Sequence, residues 1–66
     1  MLAKNLRRMR QQKKLSQEEL AHRAGLDRTY VSALERCVYA ASIDVLDRLA
    51  EVLAVTPASL IEAEPT

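Results

Sequence analysis

The chain has one glycine, Gly25, and it stands between two short helical patterns in the run LSQEELAHRAGLDRTYVSALERC, Leu15 to Cys37. Ser16 offers an N-cap, and Glu19 stands three residues on, which is the spacing of a capping box. Leu20, Ala21 and Ala24 give the helix that follows its apolar face. Gly25 then falls where a helix wants a left-handed residue to stop it. Asp27 caps a further helix from about Arg28 to Arg36, with Val31 and Leu34 as its apolar residues. Two short helices and the corner between them therefore take up roughly a third of the chain.

The flanking sequence is helical too. Leu2, Leu6 and Met9 recur at helical spacing, so a first helix is expected from about Leu2 to Lys13. Ser42 caps a fourth from about Ile43 to Leu53, and Thr56 followed by Pro57 opens a short fifth, since proline suits the first helical position. No segment alternates as a strand would. The expected fold is all-α, a compact bundle of four to five short helices in a single domain over 1–66, with 62–66 as a frayed tail.

Sixty-six residues bury little; a chain of this size covers roughly 60% of the surface its unfolded form exposes, so its core needs help. Cys37 is the lone cysteine, which excludes an internal disulfide and fits a reducing compartment. One cysteine and one histidine, His22, cannot fill a four-ligand zinc site, so no metal and no cofactor is expected. A partner subunit is the expected support. There is no apolar run of membrane-span length and no signal-peptide pattern, and no membrane partner is expected.

The net charge of +1 conceals an asymmetry. Residues 1–36 carry Lys4, Arg7, Arg8, Arg10, Lys13, Lys14, Arg23, Arg28 and Arg36 against Glu18, Glu19, Asp27 and Glu35, a balance of +5. Residues 37–66 carry Arg48 against Asp44, Asp47, Glu51, Glu62 and Glu64, a balance of −4. Solvated helix faces would explain this, and so would a polyanion met by the first half only.

A glycine-cornered helix pair is either an ordinary αα-corner or a DNA-binding helix-turn-helix. Counted from Gln17 to Arg36, Ala21 is fifth, Gly25 ninth, Val31 fifteenth and Leu34 eighteenth. A small residue at the fifth place lets the helices approach, the glycine makes the corner, and Val31 and Leu34 bury the third helix. At about 100° per residue, Arg28, Thr29, Ser32, Ala33 and Arg36 then lie on its outward face. Such a face suits a major groove: arginine can fork to guanine, Thr and Ser bond either base type, and Ala or the Thr methyl can meet a thymine methyl.

The run LSQEELAHRAGLDRTYVSALER resembles the phage-repressor (Cro/λ-repressor-like, or XRE) helix-turn-helix family, and GLDRTYVSALER is particularly similar to the small controller proteins of bacterial restriction–modification systems. The resemblance extends from Leu6 through SIDVLDRLAEVLAVTPASLI. It implies that Ser16 and Gln17 meet a phosphate, where first-turn amides and the helix dipole also favour an anion. It places Arg28 and Thr29 against base edges, Ser32 and Ala33 one turn deeper, and Arg36 and Tyr39 back on the DNA backbone. Tyr30 is read as half core, half phosphate or sugar contact. Arg10 and Glu35 match a pair that ties the first helix to the end of the third; Glu35 would fix the helix angle and aim Arg10 towards a phosphate. Three departures stand out: Lys14 and Cys37 where the family often has glycine, and Ala41 where proline is common.

Cys37, beside the DNA-facing end of a helix, is read as a small semi-buried residue, with an oxidative switch as the rival reading. His22, one turn from Glu18, is read as solvated. No nucleophile elbow, phosphate-cradling loop or paired catalytic carboxylate is present, so the chain is not expected to be an enzyme.

In the fourth helix Ile43, Leu46, Leu49, Ala50 and Leu53 form an inward stripe. Val45, Val52, Val55, Leu60 and Ile61 add apolar surface in the acidic half, where family members pair across a two-fold axis. The expectation is a cytosolic or nucleoid-bound bacterial transcription regulator that binds double-stranded operator DNA as a homodimer on a palindrome. It would act by blocking or recruiting RNA polymerase. A restriction–modification controller is the preferred subtype; the alternatives are a phage- or plasmid-type repressor and an antitoxin-like protein-interaction module.

Overall fold

The computed structural model describes residues 2–38 and 40–62. Five helices follow one another: α1 (Leu2–Gln12), α2 (Gln17–Ala24), α3 (Arg28–Glu35), α4 (Ile43–Leu53) and α5 (Pro57–Ile61). The all-α expectation holds. The remainder of the expected frayed tail, residues 63–66, lies outside the described residues.

Each helix after the first starts at a side-chain cap that the sequence marks. Ser16 Oγ accepts from Glu19 N at 3.0 Å, Asp27 Oδ1 from Thr29 N at 2.7 Å, Ser42 Oγ from Val45 N at 3.2 Å and Thr56 Oγ1 from Ser59 N at 3.2 Å. Each satisfies an amide that has no partner inside its helix, for ~1 kcal/mol. Pro57 takes the first position of α5, where its missing N–H costs nothing.

The ends of α1 to α4 share one device. Lys14, Gly25, Cys37 and Ala54 all adopt the left-handed conformation, with φ of 57°, 70°, 61° and 57°. In each case that residue donates its N–H three residues back, and the following residue donates five back. The second set is Leu15 to Arg10, Leu26 to Ala21, Val38 to Ala33 and Val55 to Ala50. This is the Schellman pattern, and the apolar residue after each left-handed one is its usual companion. Two of the departures read from the sequence are thus resolved: Lys14 and Cys37 adopt the glycine conformation despite carrying a side chain.

Helix α3 packs against both α1 and α2, α4 against α2, and α5 against α1 and α4. Leu6, Leu20, Val31, Leu34, Leu49, Leu53 and Leu60 fill the centre, each at most 1% exposed. Two expectations about this core fail. Ile43 lies on the inward face of α4, two turns before Ala50, yet is 80% exposed. It is the first residue of α4 and stands at the edge of the buried arc that Leu49, Ala50 and Leu53 define. Leu60, expected at a subunit interface, is 0% exposed, because α5 drops it between α1 and α4.

A polar residue in the core was not anticipated. Asn5 is 1% exposed, and its Nδ2 donates to Leu60 O at 2.9 Å and Glu62 O at 2.7 Å, carbonyls that end α5 and lack helical partners. Its place on the apolar face of α1, between Leu2 and Met9, was the available signal.

A left-handed L-residue carries a steric cost of about 1–2 kcal/mol, from which the greater unfolded-state freedom of glycine subtracts about 0.5–1 kcal/mol. Ala54→Gly should therefore stabilise the protein, raising Tm by on the order of 4 °C in thermal unfolding followed by circular dichroism. A lower Tm would contradict the left-handed end of α4.

Candidate nucleic-acid interface

The outward surface of α3 is narrower than the helical wheel suggests. Two helices pack on it, so its buried arc runs from Ala33 through Tyr30, Leu34 and Val31 to Glu35, roughly 200° at 100° per residue. Ala33, expected on the outward face, is only 3% exposed, and the expectation that it reads bases is withdrawn. Arg28, Thr29 and Arg36 are exposed and Ser32 is half-exposed, which leaves one polar, basic strip. Asp27, by capping Thr29 N, fixes the end of α3 at which Arg28 and Thr29 stand. Arg36 Nε reaches back to Ser32 O at 3.4 Å. Tyr30 is half-buried against the core. Tyr39 lies outside the described residues.

What holds this strip is a buried ion pair. Arg10 of α1 meets Glu35 of α3 in a forked contact, Nε to Oε2 at 2.7 Å and Nη2 to Oε1 at 3.0 Å. The two side chains are 12% and 4% exposed. Arg10 Nη1 also donates to Leu15 O at 2.8 Å, in the turn before α2, and Gln17 Nε2 of α2 donates to Glu35 Oε1 at 3.1 Å. One carboxylate and one guanidinium thus join α1, the turn, α2 and α3. The expected tie is present, and it commits three of the guanidinium nitrogens to protein oxygens.

The charges respond to this setting. Burial pushes the Glu35 carboxyl up, but the hydrogen bonds from Arg10 and Gln17, with the charges of Arg10 and Arg7, outweigh it and leave the group below its ordinary value. The hydrogen bond to Glu35 raises Arg10 against the opposing effect of burial, with the charge of Glu35 adding to the rise.

Ser16 is exposed at the start of α2, and Gln17 is half-buried because Glu35 holds it. The first-turn amides of Gln17 and Glu18 have no intrahelical partner, so this end of α2 can receive an anion. Lys13 and Lys14 are exposed immediately before it.

The apolar surface lies elsewhere. Val38, Ile43 and Ile61 are 57%, 80% and 52% exposed. Val38 and Ile61 line an open groove with Leu2, Leu34, Ala41 and Leu46, and Ile43 stands one turn before Leu46. Of the residues expected at a subunit interface, Ile61 is exposed, whereas Val45, Val52 and Val55 are half-buried against the core. Val38 was missed in the sequence because it follows the third helix in a loop with no periodicity to reveal it. Among the described residues no group of three His, Cys, Asp or Glu could hold a metal, and no helix is long and apolar enough to cross a membrane.

Residues 6–60 match the helix-turn-helix family HTH_3. The chain is 45% identical over 60 residues to a hypothetical transcription factor of Neisseria meningitidis, covering 91% of this chain and 57% of that one. It spans less than two thirds of the length of the curated relatives it matches, 57% and 59%. The structure is similar to that of the restriction–modification controller protein C.AhdI from Aeromonas hydrophila, with a TM-score of 0.88, 40% identity and 91% of each chain covered. It is also similar to SinR, the master regulator for biofilm formation, solved in complex with DNA, with a TM-score of 0.90 and 32% identity over 94% of this chain and 100% of that one.

The ion pair makes stability depend on pH in a defined direction. Because the folded carboxyl of Glu35 titrates below its ordinary value of 4.5, its contribution is complete above that value and is lost as pH falls through the lower, folded one. Glu35→Gln should lower urea stability at neutral pH by about 2–3 kcal/mol. The gap to the wild type should be full above pH 4.5 and narrow as pH falls below it. A gap that stays constant over that fall would contradict the ionised, paired Glu35.

Proposed function

As the chain belongs to the helix-turn-helix family, we propose that it is a sequence-specific DNA-binding transcription regulator that reads its operator with α3. The observation that carries this is the basic strip of Arg28, Thr29, Ser32 and Arg36, mounted on a buried tie rather than on a mobile surface. Arg28 and Thr29 meet base edges near the start of α3, with Ser32 one turn deeper. Ser16, Gln17 and Arg36 hold the phosphates on either side. These contacts set register without reading sequence.

The protein acts as a homodimer. Val38, Ile43 and Ile61 leave more apolar surface exposed than a small monomer has use for, and a second copy covers it, with Val45, Val52 and Val55 contributing their exposed edges. Two-fold pairing sets two α3 helices roughly 34 Å apart, the spacing of half-sites one turn apart on a palindrome. Likeness to C.AhdI over nine-tenths of both chains supports a restriction–modification controller. Regulation then works through occupancy of a promoter, by blocking or recruiting RNA polymerase, in the bacterial cytosol.

Binding should be measured on the DNA upstream of the chain's own gene and on a scrambled duplex. Arg28→Ala should cost ~1–3 kcal/mol on the upstream site and far less on the scramble. Sedimentation at tens of micromolar should return a dimer mass that falls on dilution. Equal, weak binding to both duplexes, indifferent to Arg28, would move the function to a protein partner.

A further inference from the structure

Among the cations around α2, Lys14 holds a backbone conformation that its side chain makes costly. Its φ of 57° lies in the left-handed region that glycine enters freely. The bonds that close α1 there, Lys14 N to Gln11 O at 3.0 Å and Leu15 N to Arg10 O at 3.1 Å, are backbone bonds that glycine would make equally well. Among the described residues no hydrogen bond or ion pair engages its side chain. It is exposed, and the ion pairs among the described residues join Arg10 to Glu35, Arg23 to Glu19 and Arg48 to Asp44.

Its mount, in contrast, is firm. The carbonyl of the next residue, Leu15, is held by the same Arg10 guanidinium that grips Glu35 at the end of α3. Two residues of chain span no more than about 7 Å, so Lys14 stands within a side chain's reach of Ser16, the cap of α2. We infer that Lys14 is a further phosphate contact of the DNA interface, its ammonium adding charge beside Ser16 and Gln17 at a position where the backbone alone would favour glycine. This inference rests on the DNA-binding reading above and extends it to a residue whose structural and functional effects have opposite signs.

That opposition supplies the test. Lys14→Gly and Lys14→Asn both suit the left-handed conformation and remove the charge. Tm and the slope of log affinity against log salt should be measured for both, on upstream and scrambled duplexes, with Arg48→Ala as a control that removes a positive charge from α4. Both Lys14 variants should melt at or above the wild-type temperature. Their salt slope should be shallower by about 0.9 per subunit, equivalent to about eightfold in affinity per subunit at 0.1 M salt. The ratio between upstream and scrambled DNA should not change, because a phosphate contact carries no sequence information. Arg48→Ala should leave the slope unaltered. Wild-type slope and affinity in both Lys14 variants would overturn the inference while leaving the DNA-binding reading intact, and so would an equal loss in Arg48→Ala. Absence of salt-dependent binding by the wild type would remove both.

Discussion

The structure depends on one ion pair. Arg10 and Glu35 are nearly hidden from water, and taking two charges out of solvent is expensive. That expense is offset only because their geometry is close to ideal and their remaining capacity is used. The guanidinium forks onto the carboxylate and also reaches Leu15 O, while the carboxylate accepts from Gln17 as well. A pair of leucines could bury as much surface. It could not fix at once the separation and the rotation of α1, α2 and α3, because apolar contacts are not directional. The pair is a device for orientation, and the strip on α3 inherits that orientation.

So small a domain holds its surface in place by satisfying its helix ends. Its helices are short, so a large fraction of their backbone groups lies at ends. Side-chain caps at Ser16, Asp27, Ser42 and Thr56 satisfy amides. Schellman pairs at Lys14, Gly25, Cys37 and Ala54 satisfy carbonyls, and Asn5 serves the end of α5. Two of these left-handed residues frame the working part of the molecule: Lys14 precedes α2 and Cys37 follows α3. Strain is thus tolerated where the chain enters and leaves its helix-turn-helix.

Much of this was legible in the sequence, and what was legible is local. The caps, Pro57 and Gly25 specify helix ends through chemistry within four residues of themselves, so helix positions could be read to within a residue or two. The tie between Arg10 and Glu35 came from family resemblance, since nothing local links residues so far apart. What could not be read depends on how many neighbours an element has. Ala33 is buried because two helices, not one, flank α3. Ile43 is exposed at the first turn of α4, at the edge of its buried arc, and Leu60 is buried because α5 packs against two helices. Ala54 carries no glycine to announce its conformation, although an apolar residue follows it as one follows each of the other three.

The most direct test of the central claim separates orientation from stability. In the double variant Arg10→Met, Glu35→Leu, apolar side chains of similar size replace the pair, an exchange that is often neutral or stabilising in other buried pairs. Urea denaturation and the affinity ratio between upstream and scrambled DNA should be measured on the same samples. A fold about as stable as the wild type, with the ratio reduced at least about tenfold (~1.4 kcal/mol), is the result that an orienting role predicts. A stable double variant that keeps the wild-type ratio would show that α3 is aimed by apolar packing alone, and would contradict it.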